Sequence, residues 1–164
     1  MEVFWTHGYA GADVDKLQAS ASIQRGSFYA AFNDKPSAFR EALDRYLEKV
    51  LFPRLTMLEK PGEEALPEFL RAVGEFVSQQ GIRGCLLSEA IIASPGLGPK
   101  LQGQILRIRR RLFRRLKLLS GGDSAKASFV LTCALGLHAL ARAGASRKQI
   151  RQAAGFAAAT LSVS

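Results

Sequence analysis

Residues 14–35, VDKLQASASIQRGSFYAAFNDK, decide the fold. Two short stretches of helical spacing, Val14 to Ala21 and Arg25 to Ala31, are separated by only Ser22-Ile23-Gln24. Asp13 stands where a side chain can accept hydrogen bonds from the free amides of the first stretch. Asn33-Asp34-Lys35-Pro36 closes the second, with Asp34 as cap and Pro36 in the first turn of a longer helix. Two short helices joined by about three residues have helix-turn-helix geometry. In such a unit the later helix enters the major groove, and its early residues meet base edges and phosphates. Phe28 and Phe32, four residues apart, fall on one face and are expected to pack as core against Leu17 and Phe39.

Upstream, VFWTHGY forms a first helix that Gly8-Tyr9 and Gly11 end. Downstream, Phe39, Ala42, Leu43, Tyr46, Leu47, Val50 and Leu51 recur at three- and four-residue steps, so a fourth helix packs along its length. Pro53 predicts a kink near Phe52, and Pro61-Gly62 closes the segment. Glu63 to Gln80 reads as an amphipathic helix. Gly81 and Gly84 bracket a tight connection into the apolar run Cys85 to Ala93, and residues 94–99 read as a loop. Leu101, Ile105, Ile108, Leu112, Leu116 and Leu119 then mark a helix whose other positions are crowded with arginine. Ser120-Gly121-Gly122-Asp123 stops it and caps the next. The last two helices span about Ala125–Ala143 and Arg147–Ser162. Phe129 to Ala141 is apolar nearly all round and calls for cover on two sides, one of them a second subunit. No stretch alternates as a strand would, so the chain reads as all-α.

Composition narrows the function. Apolar residues make up 48% and charged residues 23% of the 164, which excludes disordered and fibrous classes. The net charge of +9 suggests nucleic acid. However, residues 1–60 hold eight Lys/Arg and eight Asp/Glu, against fifteen and six in 61–164, so the surplus lies C-terminal. Two cysteines and two histidines are too few and too scattered for a metal site, and no nucleophile elbow or phosphate-cradling loop occurs. No catalytic residue, metal or cofactor is expected. The run Phe129 to Ala141 is short for a membrane span, and MEVFWTHGYAG lacks the parts of a signal peptide. A cytoplasmic protein is expected.

Val14-Asp15-Lys16-Leu17, followed by Arg25-Gly26-Ser27-Phe28-Tyr29-Ala30-Ala31-Phe32 and Asp34-Lys35, resembles the signature of the TetR/AcrR regulators. Arg83-Gly84-Cys85-Leu86-Leu87 and the segment Gly136 to Ala145 are similar to stretches common in the ligand-binding part of that family. The resemblance implies an N-terminal helix-turn-helix domain over 1–35 and a ligand-binding and dimerisation domain over 36–164. It further implies a homodimer through the last two helices, double-stranded operator DNA as partner, and repression released by a small, mostly apolar effector. Mapped onto this sequence, Gln24, Arg25, Gly26, Ser27 and Tyr29 occupy recognition-helix positions, and Lys35 stands where a phosphate is commonly met. Arg25 can donate to a guanine or a phosphate, and Tyr29 can give its hydroxyl to the DNA backbone. Phe69, Phe76, Cys85, Leu86, Leu87 and Ile91 are candidates for the effector pocket, with plain core as the competing role. The setting of Cys85 also resembles that of reactive thiols in electrophile-sensing family members, against its reading as a small buried hydrophobe.

Three positions depart from the family pattern. Ala12 replaces a hydroxyl residue, Gln24 replaces a capping Ser or Thr, and Ser22 replaces the turn glycine and is expected at positive φ. Family members also carry a basic arm and further helix ahead of the equivalent of Val3-Phe4-Trp5. Residues 2–7 are therefore expected to give little more than a turn and a half and to support the three-helix unit poorly. That gives the competing function, a dimeric ligand-binding or interaction module with an incomplete DNA-binding head. The basic run Arg107 to Lys117 has two readings, a solvated face or a site for an acidic partner. His138, on an apolar helix, reads as a hydrogen-bonded core or interface residue.

Overall fold

The computed structural model describes residues 1–59, 62 and 64–162. Among these it contains nine α-helices and no strand: α1 Glu2–Gly11, α2 Val14–Ala21, α3 Arg25–Phe32, α4 Lys35–Tyr46, α5 Ala65–Gln80, α6 Leu86–Ala93, α7 Pro99–Leu119, α8 Ser124–Arg142 and α9 Arg147–Ser162. The all-α expectation holds. Three of the helix starts are fixed by the aspartates that the sequence singles out. Asp13 accepts from the Lys16 amide at 2.8 Å, Asp34 from the Ser37 amide at 2.7 Å, and Asp123 from the Ala125 and Lys126 amides at 2.7 and 3.0 Å. Each such cap contributes about 1 kcal/mol by satisfying amides that the helix itself cannot.

The fourth helix departs from expectation. Regular α-geometry ends at Tyr46, a π turn follows over Leu47–Leu51, and 3-10 turns cover Phe52–Arg54 and Thr56–Glu59. Pro53 has no N–H to give and its ring crowds the carbonyl four residues back, so the preceding turn widens instead of the helix simply bending at Phe52. Pro61 and Glu63, assigned by periodicity to the end of this segment and the start of the next helix, lie outside the described residues. A 3-10 turn, Ser94–Gly96, occupies part of the stretch read as loop.

The first helix is longer than a turn and a half. It runs ten residues, broken at Gly8 (φ 68°, ψ −179°), a backbone conformation open to glycine and strained for other residues. A helix this short does not hold itself in water. Phe4 and Trp5 supply the missing support by burying their rings: Phe4 meets Phe39 edge-on at 5.0 Å, and Trp5 meets Tyr46 at 4.9 Å.

The core has two parts. The proximal part joins Phe4, Trp5, Leu17, Phe28 and Phe39 to Val77, Leu86, Ile105 and Ile150, so packing runs without a break across residue 35. The distal part gathers Leu58, Phe69, Leu70, Leu116, Val130 and Ala158. Phe28 is buried as expected, while Phe32 is half-buried at its margin. Helix α8, taken over its full 19 residues, is long and apolar enough by composition to cross a membrane, which the run Phe129–Ala141 alone is not. In the structure it is a body helix, burying Ala127, Val130, Leu131, Ala134, Leu137 and Ala141.

The closest helix pairing is α5 on α9, where Gly74 lies against Ala154 with no room for a further methyl. Gly74→Ala is expected to cost about 1–3 kcal/mol by overpacking. Gly103→Ala, at an uncrowded position of α7, is expected to be neutral or to stabilise by up to about 1 kcal/mol. Urea melts of the two variants check the difference in sign.

Candidate nucleic-acid interface

The presentation of α3 follows from how α2 ends. Ser22 takes the left-handed conformation at φ 53°, ψ 40°, as expected from the missing glycine. The Ile23 amide then reaches back to the Gln18 carbonyl at 3.2 Å. This closes α2 and turns the chain within three residues, and α3 starts at Arg25 with no side-chain cap from Gln24. Phe28 points into the core, so the other face of α3 must point out. Gln24, Arg25, Gly26, Ser27 and Tyr29 are all exposed. The Arg25 guanidinium lies 6.0 Å from the centre of the Tyr29 ring, which steadies a cation beside a phenol hydroxyl. A Cβ built on Gly26 would meet nothing within 4 Å, so no internal contact requires glycine there and the bare backbone is open to close approach.

Lys35 opens α4. Its ammonium sits over the Tyr9 ring at 4.7 Å, which ties the start of α4 to the end of α1. The Ser37 hydrogen bonds hold the Asp34 carboxyl below its usual range, keeping the cap ionised next to Lys35. Five of the six residues singled out as DNA contacts thus lie exposed on α3 and its N-cap, while Lys35 is half-buried at the start of α4.

Behind that side, a polar junction connects the head to the body. The Trp5 indole N–H donates to the Gly84 carbonyl at 3.0 Å, and the Arg83 guanidinium covers the same ring at 4.0 Å. The Cys85 amide donates to His138 Nδ1 at 2.9 Å, which leaves the ring proton on Nε2, directed at Glu89 Oε2 3.3 Å away. Arg142 donates to the carbonyls of Thr6 and Ile82, both at 3.1 Å, and stands 3.9 Å from the Glu89 carboxylate. A Cβ on Gly8 would lie 2.6 Å from Glu89 Oε1, so the break in α1 makes room for this carboxylate. Gly84, at φ 53°, is pressed against the His138 ring in the same way. His138 thus has the hydrogen-bonded role expected of it. Read from the sequence, Gly8 has only the role of a helix stop, and Trp5, Glu89 and Arg142 have no role in a junction, although Glu89 is the one charged residue of Leu86–Ala93.

The six pocket candidates divide between the two parts of the core and the cleft beside them. Phe69 is buried in the distal core, whereas Phe76, Cys85 and Leu86 are buried in the proximal one. Cys85 Sγ accepts from the Tyr46 hydroxyl at 3.3 Å, and burial pushes the Tyr46 phenol far up, so it remains a donor. Ile91 is half-buried at the edge of that cluster. Leu87 alone of the six faces an open cleft of about 640 Å³ between the 51–59 segment and α7, lined also by Leu51, Leu55, Ile108 and Leu112.

No family model matches the chain. Among curated proteins it is 30% identical over 103 residues to the HTH-type transcriptional repressor ComR of Escherichia coli (strain K12), covering 60% of this chain and 49% of ComR. It is 26% identical over 110 residues to the HTH-type transcriptional repressor DhaR of Mycobacterium sp. (strain GP1), covering 65% of this chain and 54% of DhaR. The matches thus span about half the length of each of these relatives. Among solved structures, the TetR family transcriptional regulator CifR, as a cysteine mutant complexed with 26-bp double-strand operator DNA, superposes with a TM-score of 0.78 at 27% identity, over 96% of this chain and 90% of CifR. A TetR transcriptional regulator from Chloroflexus aurantiacus J-10-FL superposes at 0.76, over 97% of this chain and 88% of that one. At 19% identity, this second likeness concerns the fold.

The hydrogen bond from His138, foremost, and the charge of Arg142 hold the Glu89 carboxyl below its usual value of 4.5. A carboxyl lowered on folding stabilises the folded chain above its unfolded pKa, and that contribution fades as pH falls through the folded value. Urea midpoints from pH 7 down to pH 3 are expected to fall more steeply for the wild type than for Glu89→Gln. Parallel curves would show that Glu89 carries none of the acid sensitivity.

Proposed function

We propose that this chain, whose fold is similar to that of TetR family transcriptional regulators, is a DNA-binding repressor of that family that a small, largely apolar effector releases. The observation that carries this reading is the exposed cluster of Gln24, Arg25, Gly26, Ser27 and Tyr29, with half-buried Lys35 opening the next helix, on a helix-turn-helix whose first helix is firmly seated. Arg25 acts as donor to a base edge or phosphate, Tyr29 and Ser27 reach the sugar-phosphate backbone, Gly26 allows the backbone close, and Lys35 meets a phosphate beside the helix. Residues 1–35 then serve as reader, and 36–164 as effector-binding and dimerisation body.

A homodimer through α8 and α9 fits the apolar side chains that one chain leaves uncovered there. Phe129, Leu140 and Phe156 are 40%, 43% and 78% exposed. Pairing these helices across a two-fold axis would cover all three and set two copies of α3 facing successive major grooves, roughly 34 Å apart. The effector would act by favouring a spacing that no longer matches one turn of duplex.

One observation favours the competing reading of a dimeric module with a weak head. Residues 1–35 hold three basic residues, Lys16, Arg25 and Lys35, against four acidic ones, Glu2, Asp13, Asp15 and Asp34. Phosphate attraction is correspondingly small.

Fluorescence anisotropy with duplexes tiled across the DNA flanking the chain's own gene, over a salt series, separates the two. Sequence-specific binding is expected. Arg25→Ala should weaken it by about 1–3 kcal/mol, and Lys35→Ala should weaken all duplexes alike and lower the salt slope by about one. Only sequence-blind binding, unchanged in Arg25→Ala, would favour the module.

A further inference from the structure

We propose that the cleft between the 51–59 segment and α7 takes an amphiphile, an apolar chain with a doubly charged phosphate head gripped by Arg111 and Arg114. This rests on the effector reading above for its regulatory consequence and on the cleft itself for its chemistry.

At about 640 Å³ the cleft is of ordinary ligand size, and Leu51, Leu55, Leu58, Leu87, Ile108 and Leu112 give it an apolar lining. Phe52 and Leu118 border the same cleft and are left 53% and 70% exposed, a cost in water that an apolar chain lying between them would remove. The rim on α7 is cationic. Arg111, Arg114 and Arg115 line it, with Glu59 as the one carboxylate among the described lining residues. Arg115 is engaged by the Leu58 carbonyl, which fixes the 56–59 turn onto α7. Among the described residues, Arg111 and Arg114 have no such partner.

These same two arginines form the ridge of a second depression of about 800 Å³, where Arg107, Arg109 and Arg110 join them beside Phe113 and Ser128. Helix α7 contains no Asp or Glu, so five guanidiniums repel one another over about two turns with no acidic residue interleaved. A face built only for solubility mixes both signs. An anion on the ridge offsets the repulsion, and the planar guanidinium fork suits oxyanions bound through two oxygens at once. Five cations about one ridge call for more than a single negative charge, which favours phosphate over carboxylate. The apolar lining next to the ridge excludes bare phosphate as the intended occupant.

Calorimetric titration of the full chain with decyl phosphate, decanoate, decanol and inorganic phosphate, each below its aggregation limit at pH 8, tests the assignment. Decyl phosphate is expected to bind about tenfold or more tightly than decanol, with decanoate between them and inorganic phosphate weakest. In Arg111→Gln/Arg114→Gln, at two exposed positions, the advantage over decanol should vanish, whereas Lys117→Gln, which lines neither depression, should keep it. The proposal is overturned if decyl phosphate binds no better than decanol or decanoate, if its advantage survives the double substitution, or if inorganic phosphate binds as tightly. Operator anisotropy on the same samples is a separate readout. Tight decyl phosphate binding that leaves operator bound would remove the effector reading and leave the binding site standing.

Discussion

The Glu89 carboxylate is the point on which the arrangement of this chain turns. It faces His138 and Arg142 of α8 and occupies the space left by Gly8 of α1. Helix α6 therefore serves as the post between the first helix and the body. A partly desolvated charge is costly unless paired, so each of the three elements must be in place for the others to be tolerated. Around this point the remaining bonds fall into order. Trp5 reaches the Gly84 carbonyl, Arg142 joins Thr6 of α1 to Ile82 of the Gly81–Arg83 turn, and the Cys85 amide finds His138. A first helix too short to persist alone is thereby held by tertiary contacts, and α2 and α3 are built on it.

The same helix links the two proposed sites. Leu87 lines the cleft and Glu89, two residues further on, enters the junction. On the proposed reading, an occupant that displaces Leu87 shifts α6, and through Glu89 it shifts α1 and the head relative to α8. The coupling needs no long pathway, since one helix of eight residues carries both contacts. Differential fit of the occupant to the two positions of α6 would supply the free energy, as any ligand-driven shift requires.

Much of this fold was legible in the chain. Local chemistry wrote the helix starts at Asp13, Asp34 and Asp123, the limits of α2 and α9, and the strained turn at Ser22, because a cap or a positive φ involves only neighbouring residues. The exposed face of α3 was legible for the same reason: burying Phe28 fixes the direction of its neighbours. What depends on contacts between distant segments was not. A six-residue stretch gave no sign that Trp5 would find a carbonyl 79 positions away. Apolar character nominated Phe69, Phe76 and Leu86 for a pocket, but apolar character marks core equally well, and core is where they lie. The arginines of α7 were conspicuous, yet only the fold sets Arg111 and Arg114 beside Leu87.

The central claim is that Glu89 couples α1 to α8. Hydrogen–deuterium exchange of the intact chain, comparing wild type with Glu89→Ala, tests it most directly. Exchange is expected to accelerate in α1 after Gly8 and at the C-terminal end of α8 together, while the paired helices α5 and α9 keep their protection. Faster exchange confined to α6, with α1 and α8 unchanged, would contradict the account.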